Sequence, residues 1–192
     1  MGIPRIDTGP MTLDEFYAFT EARPDEEKWE LIDGEPVLNA APSDFHQLIL
    51  GNLITALTSE GRRHDARWRA IPGIGAFVSR TSRPEPDVMI LPKPPERGAA
   101  PRRDTADALV LFEIMSPSTA ARDLKWKRIA YTSLPALMHY VVVAQDAMDV
   151  VVFAREGGFA ERRYRSTDDV IAFAELGVLL PLSEIYRDTG LA

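Results

Sequence analysis

The sequence predicts one α/β or α+β domain in which a central sheet is covered by helices. Three observations carry this. Two stretches, 44–63 and about 118–134, repeat apolar residues at helical spacing. Short apolar runs between 68 and 164 read as strands. No shift of composition marks a boundary within 192 residues, a length within reach of one sizeable core.

Taken in order, residues 1–10 read as a loose tail. "MTLDEFYAFTEA" predicts a short helix: Thr12 is the N-cap, Glu15 closes a capping box, and Leu13, Phe16 and Phe19 form one stripe. "KWELIDGEPVLNA" predicts a hairpin turning at Asp33-Gly34, a pair suited to a type I′ turn. In the helix over 44–63, Leu50, Leu53, Ile54 and Leu57 line one side and Gly61 lies near the end. "ARWRAIPGIGAFVS" gives two short strands broken at Pro72-Gly73, and "PDVMILP" gives another. "PKPPERGAAPRRDTAD" is a surface loop. The strand "ALVLFEIM" and the helix from about Ser118 to Leu134 follow. "ALMHYVVVA", "MDVVVFAREGG" and "FAERRYR" are a run of antiparallel strands, and "LPLSEIY" a terminal helix or turn. The apolar strands over 137–164 raise the expectation of a homodimer formed at a sheet edge.

Composition narrows the function classes. No apolar run is long enough for a transmembrane helix. The start, MGIPRIDTGP, has no apolar h-region and no basic cluster, and Ile6 stands where myristoylation needs Ser or Thr, so neither a signal peptide nor an N-terminal myristoyl group is expected. The absence of cysteine excludes disulfides and thiolate zinc sites and suits a cytoplasmic setting. The net charge of −7 is opposite in sign to that of a domain that coats duplex DNA. Any nucleic-acid contact therefore needs a local patch, a metal, or a dimer that gathers basic residues.

Two residues violate the apolar pattern. Residues 109–115 are apolar except for Glu113, and a run apolar on both faces is a central strand. A carboxylate there is costly unless paired or metal-bound. In the following helix Ala120, Leu124, Lys127, Tyr131 and Leu134 share one face, so Lys127 is aimed at the sheet and toward Glu113. Lys125 lies roughly 140–160° around the axis and joins Arg122 and Arg128 on the solvated side. Upstream, Pro86 holds Asp87 at the start of an apolar strand. Two carboxylates and an ammonium are the parts of a hard-cation site for Mg²⁺ or Mn²⁺, in which the ammonium orients the nucleophile or stabilises charge. They are equally the parts of a core salt bridge.

The ordered set "WELIDGE", "HQ", "PDV", "FEIMSPST", "RDLKWKRIAY" resembles the Uma-two endonuclease family of the PD-(D/E)XK restriction-endonuclease-like superfamily, from about residue 11 to 186. The resemblance implies a restriction-endonuclease-like core, a central mixed sheet flanked by helices. It implies a divalent-metal-dependent endonuclease acting on DNA. Asp87 and Glu113 would be metal ligands, the backbone carbonyl of Ile114 a third, and Glu30 an additional acid of the site. The superfamily lysine usually stands two residues after the second acid, where this chain has Met115; the resemblance offers Lys127 as a migrated replacement.

Other residues have two readings each. His46 lines the site or is a structural histidine on an apolar face, with Gln47 its companion; His64 and His139 read as structural. Tyr131 is a core residue whose hydroxyl can reach a site carboxylate. Asp123 steers Lys127 or forms an ordinary surface pair. Ser116 and Ser118 suit capping better than nucleophilic chemistry. Arg97, Arg102 and Arg103 touch phosphate or are solvated. Two other functions remain open: a non-catalytic interaction protein on this scaffold, and a hydrolase of another phosphorylated substrate.

Overall fold

The computed structural model describes residues 9–94, 101–115 and 120–191, the side chains of the last segment from 124 onward. Ser116, Ser118, Thr119 and Arg97, and the side chains of Ala120, Arg122 and Asp123, lie outside the described residues.

Helix α1, Leu13–Glu21, starts with the expected capping box between Thr12 and Glu15 and buries Phe16. Strands β1, Trp29–Ile32, and β2, Glu35–Leu38, form the expected hairpin. Asp33 and Gly34 both have positive φ, 49° and 82°, as a type I′ turn requires. Helix α2, Asp44–Arg63, is capped by the Ser43 hydroxyl on the His46 amide. Its buried stripe is Ile49, Leu53 and Leu57, with Leu50 and Ile54 on the flank. The expected face is thus found, with Ile49 added at its edge. Gly61 faces the Trp68 ring, where an added Cβ would lie 3.2 Å away.

Strands β3, Trp68–Pro72, and β4, Gly75–Ala76, are separated at Gly73, as the Pro72-Gly73 break predicted. Strands β5, Val88–Pro92, β6, Asp104–Thr105, and β7, Val110–Met115, come next. Helix α3, Ala120–Thr132, then leads to β8, His139–Ala144, β9, Val150–Ala154, and β10, Glu161–Tyr164. The chain closes with β11, Val170–Phe173, β12, Val178–Pro181, and the short α4, Leu182–Ile185. The β11–β12 hairpin is an addition to the sequence reading.

The central sheet has the order β10-β9-β8-β7-β5-β3. β7 and β8 run parallel, joined through α3, and the other neighbours are antiparallel. All six residues of β7 are buried. The pleat of two splits them: Val110, Phe112 and Ile114 face the layer built from α2, the β11–β12 hairpin and α4. Leu111 and Met115 face the opposite layer with Tyr131, Leu134 and Tyr140, so Glu113 points to that side, under α3.

The sheet edge near 161–164 differs from the apolar edge expected for self-association. β8 and β9 are interior strands, and the edge strand β10 reads Glu-Arg-Arg-Tyr with its first three residues exposed. Charge on an edge strand discourages further pairing. Among the described residues, no helix is long and apolar enough to cross a membrane.

Candidate functional site

The site forms where β5 and β7 meet beneath α3. Pro84 and Pro86 flank Glu85, and Asp87 follows immediately before β5. In the antiparallel register Val88 lies opposite Phe112, so one further step sets Asp87 opposite Glu113. Asp87 continues the ladder with its side chain: the Ile114 amide donates to its Oδ2 at 2.7 Å. The Asp87 side chain is 22% exposed and is the most open carboxylate of the group.

Glu113 is buried. Its Oε1 accepts from the Tyr131 hydroxyl at 2.7 Å and from Lys127 Nζ at 3.0 Å, and its Oε2 lies 3.2 Å from the same ammonium. Lys127 therefore reaches the sheet from α3 as its helical face predicted. It also donates to Glu30 Oε1 at 3.0 Å. Glu30 is itself buried on β1 and is fixed from the other side by the Glu85 amide, 2.6 Å from the same oxygen. The hairpin is pinned here because Leu31 and Arg83 exchange both backbone hydrogen bonds, at 3.2 and 2.7 Å. Asp33 at its turn accepts from the Trp126 indole at 2.7 Å, which ties the hairpin to α3 a second time.

His46 enters from the first turn of α2, with Nε2 3.1 Å from Asp87 Oδ1. Its Nδ1 is buried without a hydrogen-bond partner among the described residues. Lys125 and Arg128 are exposed, as expected. His139 pairs with Glu175 at 3.2 Å and His64 caps α2 beside Glu60 at 3.6 Å, so both serve the scaffold. Arg102 pairs with Asp107 and Arg103 with Glu21.

Three carboxylates, Glu30, Asp87 and Glu113, thus share one ammonium and one imidazole. The electrostatics follow. Burial pushes the Glu113 carboxyl up to about 7; Lys127 opposes this, Asp87 and Glu30 add to it, and the Tyr131 hydrogen bond opposes it. Burial acts to lower Lys127, but the fields of Glu113 and Glu30 overcome it and hold the ammonium above its ordinary value. Lys127 is therefore charged at neutral pH, and burial makes the Glu113 carboxylate costly to ionise beside it. Burial and the nearby carboxylates keep the Tyr131 and Tyr140 phenols protonated, both well above their ordinary value.

The donor chemistry is that of hard oxygen ligands. Among the described residues no three His, Cys, Asp or Glu side chains converge on a common point to cage a metal. Carboxylate oxygens are the donors that Mg²⁺ or Mn²⁺ take, through one or two of them with waters retained. Asp87 and Glu113 are the residues that could serve, with the Ile114 backbone between them.

Glu30 was named by resemblance alone, because its contact with Lys127 spans 97 residues of chain. The His46–Asp87 pair and the Glu85 amide were beyond sequence reasoning for the same reason. A signal for Tyr131 existed in the helical face it shares with Lys127.

A family model described as "Putative restriction endonuclease", Uma2, matches residues 13–183. A comparison with curated proteins finds no match. Among solved structures, the chain is similar to "a putative nuclease belonging to DUF820" from Anabaena variabilis. The TM-score is 0.74 at 17% identity, over 92% of this chain and 98% of that one. The central mixed sheet flanked by helices read from the sequence therefore has a solved counterpart. The match over most of its length shows that the chain belongs to the Uma2 family of nuclease-like proteins.

Proposed function

We propose that the protein is a divalent-metal-dependent endonuclease that hydrolyses phosphodiester bonds in DNA, with Mg²⁺ or Mn²⁺ as its cofactor. The observation that carries this reading is the Glu113 carboxylate, buried in the central strand, opposite Asp87 and under the Lys127 ammonium. A structural ion pair needs one carboxylate per ammonium. This cluster has three, and a divalent cation is the natural counter-charge.

Asp87 and Glu113 would hold the ion, with Ile114 contributing its backbone. When bound, the cation supplies positive charge against the developing charge of the phosphate and makes nearby water more acidic. The other roles belong to the chain. Tyr131 and Lys127 fix the Glu113 carboxylate from two sides. Glu30 holds Lys127 at the site, so the ammonium can orient a water or stabilise charge on a phosphate oxygen. His46 fixes the orientation of Asp87. The Asp87 and His46 side chains, 22% and 16% exposed, are the face from which substrate would approach. The chain's net charge of −7 is in part this acidic cluster, which the ion would offset.

The test is nicking of supercoiled plasmid and of single-stranded DNA with Mg²⁺, Mn²⁺ or EDTA. Cleavage is expected with metal and is expected to disappear in Glu113→Gln and Lys127→Ala that remain folded. A wild type that binds metal yet cuts neither DNA would redirect the reading to another phosphoester. A wild type that does neither would leave a scaffold for binding.

A further inference from the structure

Tyr140 is wholly buried on β8, yet its hydroxyl has no hydrogen-bond partner among the described residues. It differs in kind from the other buried polar groups with an unpaired atom. His46, Arg83, His139 and Asp149 each have a second polar atom that is engaged. Tyr140 has one polar atom, and that one is free of protein partners. Its ring is fixed by packing, edge-on to Tyr131 at 5.2 Å and stacked on Phe153 at 5.7 Å. Phenylalanine would fill the same space without burying an unpaired hydroxyl, whose desolvation costs about 1–3 kcal/mol. The packing therefore gives no reason for the oxygen.

Its position does. In the parallel register Leu111 lies opposite Tyr140 and Glu113 opposite Val142, so the pleat places Tyr140 on the sheet face of Glu113, one side-chain step away. The Tyr131 ring against which it packs gives its own hydroxyl to Glu113.

We propose that Tyr140 is a positioning residue of the site, whose hydroxyl donates to a water oxygen carried in by the bound cation. This rests on the reading of Asp87 and Glu113 as the cation's ligands. Tyr131 then serves the carboxylate directly, and Tyr140 serves what the carboxylate holds. Groups that orient a metal site from outside its ligand set typically change metal affinity about 10–100-fold when removed.

The experiment is a calorimetric Mn²⁺ titration of the full chain, with thermal melts in EDTA beside it, on wild type, Tyr140→Phe and Glu113→Gln. Tyr140→Phe is expected to melt at or above the wild-type temperature without metal and to bind Mn²⁺ about 10-fold more weakly. Glu113→Gln is expected to lose binding. If wild type and Tyr140→Phe bind equally while Glu113→Gln does not, the role given to Tyr140 is overturned and the metal reading stands. A metal-free melting temperature lowered by Tyr140→Phe also overturns it, since that hydroxyl would then have a structural partner. If Glu113→Gln binds as wild type does, or wild type takes up no Mn²⁺, the metal reading itself falls and Tyr140 with it.

Discussion

Replacing Glu113 by glutamine separates a built site from a core ion pair. Raising the carboxyl from 4.5 to about 7 means that keeping Glu113 ionised at pH 8 opposes folding by about 3 kcal/mol. Glutamine removes that opposition. It keeps an oxygen for the Tyr131 hydroxyl and the near side of Lys127, at 2.7 and 3.0 Å. The second contact becomes an amide facing the ammonium at 3.2 Å; the attraction lost there is already within the shift, and the unpaired donor left behind costs about 1–3 kcal/mol. Lys127 keeps Glu30 as its partner. The net result at pH 8, without metal, is expected between about 0 and 2 kcal/mol in favour of the variant. At about 2–4 °C per kcal/mol for a chain of this size, that is an unchanged melting temperature or a rise of up to about 8 °C.

The sign follows from linkage. A carboxyl whose folded value is raised gives wild type its full relative stability below 4.5 and loses it as pH climbs through about 7. The variant's advantage should therefore appear between pH 5 and 8 and be absent at pH 5. Thermal melts of both proteins across that range, in EDTA and in Mn²⁺, measure it. A variant less stable than wild type by about 3 kcal/mol at every pH, as for a broken buried pair, would refute the reasoning and make Glu113 an ordinary structural anchor.

Lys127→Met leaves Glu30 and Glu113 buried without their shared ammonium and is expected to cost about 3–5 kcal/mol at pH 8. The loss should shrink at pH 5 as Glu113 protonates, which urea midpoints at the two pH values will show. Tyr131→Phe removes one hydrogen bond to a charged oxygen and should lower stability by about 1–3 kcal/mol by the same measurement. Carboxyl-carbon NMR should find Glu113 titrating near 7, higher in Lys127→Ala and lower in Asp87→Asn. Gly34→Ala should cost more than about 1 kcal/mol in thermal melts, because φ is 82° there and the new Cβ would collide with Pro10.

Much of the site was legible because its two most unusual residues break a local pattern. Glu113 interrupts an apolar strand, and Lys127 occupies the apolar face of a helix. Periodicity alone aims both at the same interior. Asp87 was legible from a proline and the strand after it. Partners that need strand register were not. Tyr140 is an unremarkable strand residue until the parallel pairing of β7 with β8 puts it on the face of Glu113. Glu30 is one acid among many until Leu31 pairs with Arg83. The β11–β12 hairpin escaped because its strands, VIAF and VLLP, are apolar on both faces, which hides the period of two. The α2 stripe was legible in Leu53 and Leu57, with Leu50 and Ile54 packing on the flank, and lacked only Ile49.

The crossover from β7 through α3 bears on how the molecule assembles. Glu113 is 14 residues from Lys127 and 18 from Tyr131 along the chain, whereas Glu30 is 97 residues from Lys127. Closing a short loop costs less chain entropy than closing a long one. The strand, the helix and their ion pair can therefore come together while the N-terminal hairpin is still undocked. Glu30 would then arrive last, as a clasp over a pair already made. Amide exchange should accordingly find β1 and β2 opening at lower free energy than β7 and β8, so the ammonium can be left with one carboxylate by a local fluctuation that never unfolds the sheet.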